Sequence, residues 1–212
     1  MEPKKESITF GDRVIRRIAR SVERWSARLV TLRNRALIAQ LGECGRGVYF
    51  YGRVKITAPG QMKVGDNVHI SDNAWIRAEG GVTIGDNTHL SRNLVLYSMS
   101  HDYNGARLPY DEGFILKPVV IGRNVWIGMN VCIAPGTVIG DGAIVGMGTV
   151  VSGTVPPLAV VGSTKWRVLK QRDAEHYERL DAAGQYGGAN GRAYDQLKAE
   201  VRISKSEMNP NG

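Results

Sequence analysis

Aliphatic residues return at six-residue intervals through the middle of this chain. They stand at Val64, Ile70 and Ile76, at Ile84, Leu90 and Leu96, and then at Ile121, Ile127, Ile133, Ile139, Val145 and Val151. The next position is often Gly, Ala or Ser, and a small residue, usually Val, Thr or Ala, is expected three places after the aliphatic one. A period of six fits neither a helical stripe, which wants about 3.6, nor an alternating strand, which wants 2. It suits a chain that makes a short strand, turns a corner and repeats. Three such sides close one triangular coil, with one aliphatic side chain per side pointing inward and stacking on its equivalent in the next coil. A coil of this kind buries little alone and gains stability by stacking. Val82 and Thr83 read as two residues inserted between coils, which lays Val64, Ile70 and Ile76 over Ile84, Leu90 and Leu96.

The larger break follows Leu96. Regular units resume only at Ile121, leaving "HDYNGARLPYDEGFILKP", residues 101–118, as an excursion whose Asn-Gly, Gly and Pro residues are loop chemistry. Loops that interrupt a rigid scaffold commonly carry function, and this one opens on His101. A neutral imidazole suits proton abstraction near pH 7, although a surface histidine in a loop is the plain structural alternative. Two other histidines, His69 and His89, fall one coil apart and are expected to stack on one outward face, with Trp126 next in line.

The segment from 64 to 151, above all "VVIGRNVWIGMNVCIAPGTVIGDGAIVGMGTVV" followed by "VPP", resembles the hexapeptide-repeat acyltransferases, nearest to the maltose/galactoside acetyltransferase and polysaccharide O-acetyltransferase branch. The resemblance implies a mainly β fold, a left-handed parallel β-helix, assembled as a homotrimer and using acetyl-coenzyme A. It makes His101, ahead of the "PVVIGRNVWIG" return, the catalytic base. It gives Trp126 to the acceptor and cofactor groove or to the trimer seam, and Asn73 to substrate contact. It puts cofactor contacts near Met129 and Met147, where the family has smaller residues. After the last coil, Lys165 and Arg167 stand where basic groups would meet the coenzyme's phosphates, or are ordinary solvated charges. Asp111 or Glu112 is the candidate to orient His101. Some hexapeptide-repeat proteins, such as the γ-class carbonic anhydrases, instead hold zinc with three histidines. No metal site is expected here, since His101 ends a different side of the triangle from His69 and His89 and the paired loop histidines are absent.

Charge changes the picture at the N-terminus. The chain has 212 residues and a net charge of +8, and all of the excess lies in residues 1–60, with 13 Lys/Arg against 5 Asp/Glu. Within residues 10–40, Ile15, Ile18, Val22, Trp25, Leu29, Leu32 and Ala36 alternate spacings of three and four, an apolar seam among many arginines. Such a helix suits an anionic membrane surface or an acidic glycan, and equally a cap on the end of the β-helix or packing against copies in a trimer. No nucleic-acid motif accompanies the charge. The organisation expected is a basic amphipathic segment (1–45), the β-helix domain (46–164, with loop 101–118) and a helical C-terminal extension (165–212). Cys44 and Cys132 lack disulfide or zinc-finger spacing and read as reduced thiols. With no signal or spanning segment evident, the expected location is cytoplasmic, peripheral to the membrane where the helix attaches.

The function these features predict is acetyl-coenzyme A-dependent O-acetylation of a sugar or glycan hydroxyl. The alternatives are N-acetylation of an amino-sugar nucleotide, weakened by the absence of a nucleotide-binding GxGxxG pattern in residues 1–60, and a non-catalytic trimeric scaffold.

Overall fold

The computed structural model describes residues 10–163, 168 and 170–186. By contact the chain divides into two units, 1–164 and 165–212. The first holds helix α1 (Phe10–Ile38) and a parallel β-solenoid of about six turns; the second holds the short helix α2 (Ala174–Ala182). The part of the helical C-terminal extension expected beyond residue 186 lies outside the described residues, as do Lys165 and Arg167.

The solenoid has three faces. The first stacks six strands from Glu43–Cys44 to Thr154–Val155, the second six from Tyr49–Phe50 to Val160–Val161, and the third five from Val54–Thr57 to Val150–Val151. The aliphatic register is as the period predicts: Val64 lies opposite Ile84, Ile70 opposite Leu90 and Ile76 opposite Leu96. Ile70, Ile76, Leu96 and Ile127 are wholly buried.

Two details of the repeat differ from expectation. The second inward position falls four places after the aliphatic residue, not three: Val68, Ala74, Thr88, Leu94, Val125 and Val131 are all buried. Three places after it stands the corner, where Asn67, Asn73, Asn87, Asn93, Asn124 and Asn130 take φ between 54° and 60°. Asparagine is among the few side chains that tolerate this left-handed conformation. Nor are Val82 and Thr83 an insertion, since both sit in the ladder against Met62 and Lys63. The early coils run 20 residues and the later one at Asp141 runs 18, the added length lying in corners such as the 3-10 turn Pro59–Gln61.

The "GDN" and "GRN" corners follow from coil stacking. Asp66 Oδ1 accepts the Arg46 backbone N–H (2.6 Å), Asp86 Oδ1 that of Asp66 (2.7 Å) and Asp141 Oδ1 that of Arg123 (2.8 Å). Each carboxylate thereby ties one coil to the next. These backbone bonds first, and the arginine side chains second, hold the Asp66 and Asp141 carboxyls below their usual range. A Cβ at Gly65 or Gly122 would collide with the Asp86 or Asp141 carboxylate of the next coil, so these two corner positions must be glycine.

A solenoid exposes backbone acceptors at its ends. At the N-terminal end the Asn34 side chain, buried on α1, donates to Phe50 O (3.0 Å) and Gly52 O (2.7 Å). Leu37, Ile38 and Leu41 pack on the core beside it. The last turns of α1 therefore cap the coil, one of the roles anticipated for the helix.

Ile127 lies in mid-column with no exposed surface. Ile127→Ala is expected to cost about 2–5 kcal/mol, because neighbouring coils cannot collapse into the space. Val138→Ala, on the outer surface, should stay within about 0.5 kcal/mol, and thermal unfolding of the two variants checks the contrast.

Candidate active site

His101 does not begin a loop; it ends a strand. Met99–His101 pairs antiparallel with Phe114–Leu116, setting His101 opposite Phe114, so the excursion leaves the corner between the third and first faces as a two-stranded ribbon. The imidazole stacks on Tyr110 (ring centroids 3.9 Å, planes 21° apart) and tilts against Phe114 (5.1 Å, 50°). Its Nδ1 is buried with no hydrogen-bond partner among the described residues.

Neither acid expected to orient His101 is hydrogen-bonded to it. Asp111 accepts the backbone N–H groups of Ala106 (2.9 Å) and Glu112 (2.9 Å), which hold its carboxyl below the usual range, and Glu112 pairs with Arg107. Those contacts fold the loop upon itself. The ring is instead positioned by Tyr110 and Phe114, which sequence reasoning did not single out; the aromatics of the excursion, Tyr103, Tyr110 and Phe114, were the available signal.

Behind Phe114 the third face carries a second unforeseen feature. Arg77 donates two hydrogen bonds to Glu79 Oε1 (3.0 and 2.8 Å), and its guanidinium lies 5.8 Å from the Tyr97 ring centre and 5.9 Å from that of Phe114. Partial burial pushes the Glu79 carboxyl up, but the hydrogen bonds from Arg77 and the backbone outweigh it and hold the group below its usual range. This pair and the rings around it support the wall on which His101 rests.

Trp126, Met129 and Met147 come together on the other side of the coil. They line a groove of about 620 Å³ along the corner between the second and third faces, with Gly128 and Gly146 among its floor residues and Ser71, Asp72, Ser91 and Arg92 along it. The floor is bare backbone for a reason: Gly128 N–H bonds to Val145 O (2.7 Å), and a Cβ there would stand 2.6 Å from Met147 N. A long, thin, largely apolar chain with carbonyl and amide groups fits such a trough. His101 is not among the residues lining it. Asn73 is not either; its amide donates to Asn93 Oδ1 (2.9 Å), and Asn93 donates on to Asn130 (2.8 Å), a ladder along the corner.

His69, His89 and Trp126 share one register on the second face, as their spacing predicts. The two imidazoles lie face to face, with centroids 4.4 Å apart and planes 11° from parallel. Such a stack packs ring faces together rather than aiming ring nitrogens at a common point.

The repeat and fold match known proteins. Residues 118–153 match the family model "Bacterial transferase hexapeptide (six repeats)", and residues 61–98 match "Hexapeptide repeat of succinyl-transferase". Among solved structures, a hexapeptide-repeat-containing acetyltransferase from Vibrio cholerae is 29% identical with a TM-score of 0.57, the alignment covering 68% of this chain and 82% of that one. The Vibrio cholerae acetyltransferase complexed with acetyl-coenzyme A aligns at 27% identity and 0.58, over 72% and 89%. A maltose O-acetyltransferase from Clostridium difficile 630 is 27% identical with a TM-score of 0.58, over 71% and 84%. No curated protein sequence matches significantly.

Burial first, and the neighbouring His89 second, lower the His69 pKa from its ordinary 6.5. Stability from this group is thus complete above about pH 6.5 and diminishes as pH falls toward the lowered value, because protonation is easier in the unfolded chain. In an NMR titration His69 should protonate below an unperturbed histidine, and His89→Ala should move its midpoint upward.

Proposed function

The chain belongs to the hexapeptide-repeat acyltransferases, and from that premise we propose that it moves an acetyl group from acetyl-coenzyme A to a hydroxyl of a sugar or glycan. The observation that carries this reading is His101, clamped by Tyr110 and Phe114 where the repeat breaks, on a scaffold shared with an acetyltransferase solved in complex with acetyl-coenzyme A. The sugar acceptor is supported by the maltose O-acetyltransferase of the same fold.

In this mechanism the pantetheine arm lies in the glycine-floored groove past Met129 and Met147, and Trp126 flanks the thioester. His101 takes the proton of the acceptor hydroxyl as its oxygen attacks the thioester carbon. The carbon–oxygen bond forms, the oxyanion is held by backbone N–H groups, and the carbon–sulfur bond then breaks. The proton passes from His101 to the departing sulfur, giving the ester and free coenzyme thiol. Lys165 and Arg167 are proposed to meet the coenzyme phosphates.

His101 and the groove occupy different corners of one triangular coil. We therefore place the reaction between subunits of a homotrimer, where His101 of one copy faces the groove of the next. A side-to-side trimer of triangular coils brings unlike corners together, and Trp126 then serves both groove and seam.

Thiol release from acetyl-coenzyme A with a panel of sugars and polysaccharide fragments tests the reading. His101→Ala should lower acceptor-dependent turnover by about 10²–10⁴-fold while coenzyme binding, read by calorimetry, persists. Turnover unchanged in the variant would remove His101 as the base.

A further inference from the structure

We propose that α1 lies in the plane of an anionic lipid surface and holds the enzyme there. This concerns a surface separate from the groove and from His101, and it does not depend on which acceptor is acetylated.

The helix runs 29 residues, far more than capping requires. Its contacts with the solenoid come from its C-terminal end: Asn34 reaches the backbone of Phe50 and Gly52, and Leu37 and Ile38 pack on the core, as does Leu41 just beyond the helix. By helical spacing Asn34 stands on the side opposite the apolar seam, so docking on the coil turns that seam outward. Ile15, Ile18, Val22, Trp25, Leu29 and Leu32 are each between 59% and 66% exposed. A monomer rarely leaves a continuous stripe of this size to water.

The charges around the stripe decide what covers it. The helix carries eight arginines, Arg13, Arg16, Arg17, Arg20, Arg24, Arg28, Arg33 and Arg35, against Asp12 and Glu23. Arg17, Arg28 and Arg35 run along one flank of the seam and Arg33 stands on the other. The Arg28 guanidinium lies 5.9 Å from the Trp25 ring centre, which sets an aromatic and a cation together at the border between apolar and polar surface. The spacing of three and four would also serve a coiled coil. Parallel copies would then bring Arg28 of one helix toward Arg33 of the next, with no acid at those flanking positions to pair them. Anionic headgroups neutralise the same arginines while the acyl region takes Trp25 and its neighbours, the arrangement of an interfacial amphipathic helix. Among the described residues no helix is long and apolar enough to cross a membrane, so this attachment is to one surface.

The test uses the full chain, without coenzyme or acceptor, so that its failure is separate from failure of the acetyltransferase reading. Co-sedimentation is measured with vesicles of phosphatidylcholine alone and of equal parts phosphatidylcholine and phosphatidylglycerol. At least about tenfold tighter association with the anionic vesicles is expected, weakening as salt screens the arginines. The combined variant Val22→Gln, Trp25→Gln, Leu29→Gln should lose binding while keeping its helix content by circular dichroism, since glutamine is a good helix former. The combined variant Arg17→Gln, Arg28→Gln, Arg35→Gln should lose the preference for anionic over neutral vesicles. Equal or absent binding to the two vesicle types would overturn the proposal. So would failure to bind accompanied by dissociation of the seam variant into smaller species in sedimentation velocity, which would give the seam to copies of this chain.

Discussion

Everything in this fold depends on coil-to-coil registry. A strand of two or three residues has no partner within its own coil, so its backbone hydrogen bonds must run to the coils above and below. That requirement forces corners to repeat in position, which the chain meets with three residues. A glycine leaves room for the next coil's aspartate, the aspartate binds a backbone N–H across the gap, and an asparagine turns the chain through a left-handed φ. The aliphatic columns then follow, because fixed corners put every sixth side chain in line.

The same registry shapes the candidate site. An excursion can leave only at a corner without breaking a column, and the ribbon bearing His101 leaves where the third face meets the first. Val82, Thr83 and Ile84 pair directly with Val119, Val120 and Ile121 across it, so the columns continue undisturbed. The groove is made by a different corner, where Gly128 holds two coils too close for a side chain and, with Gly146, leaves a backbone floor. Scaffold and site thus use one device, close backbone approach at a glycine corner, for two ends.

The sequence made the columns legible because one face per side is buried and the period therefore survives in the residue types. His101 was legible as the point where that period stops. The corner asparagines were harder to interpret. Asn73 invites a substrate role when seen singly, and its place in a ladder with Asn93 and Asn130 emerges only when coils are stacked. The support of His101 was hidden for a similar reason. Asp111 and Glu112 are near in sequence, but short loops satisfy their own backbone first, and the ring is gripped by Phe114 through the pairing of two strands and by Tyr110 from the loop between them. Asn34 was invisible because its partners, the Phe50 and Gly52 carbonyls, are unsatisfied only once the first coil has closed.

α1 answers two demands at once. Its last turns supply what a solenoid end lacks, an amide for open carbonyls and aliphatic side chains for an unfinished core. Once that end is fixed, helical geometry leaves no freedom over where the seam faces: residues on the docked side are committed, and those opposite must look away from the coil. A cap alone would be served by two turns with a polar outer side. The additional length, its exposed tryptophan and its eight arginines against two acids serve no purpose in a cap, and they are the features that suit the proposed attachment to an anionic lipid surface.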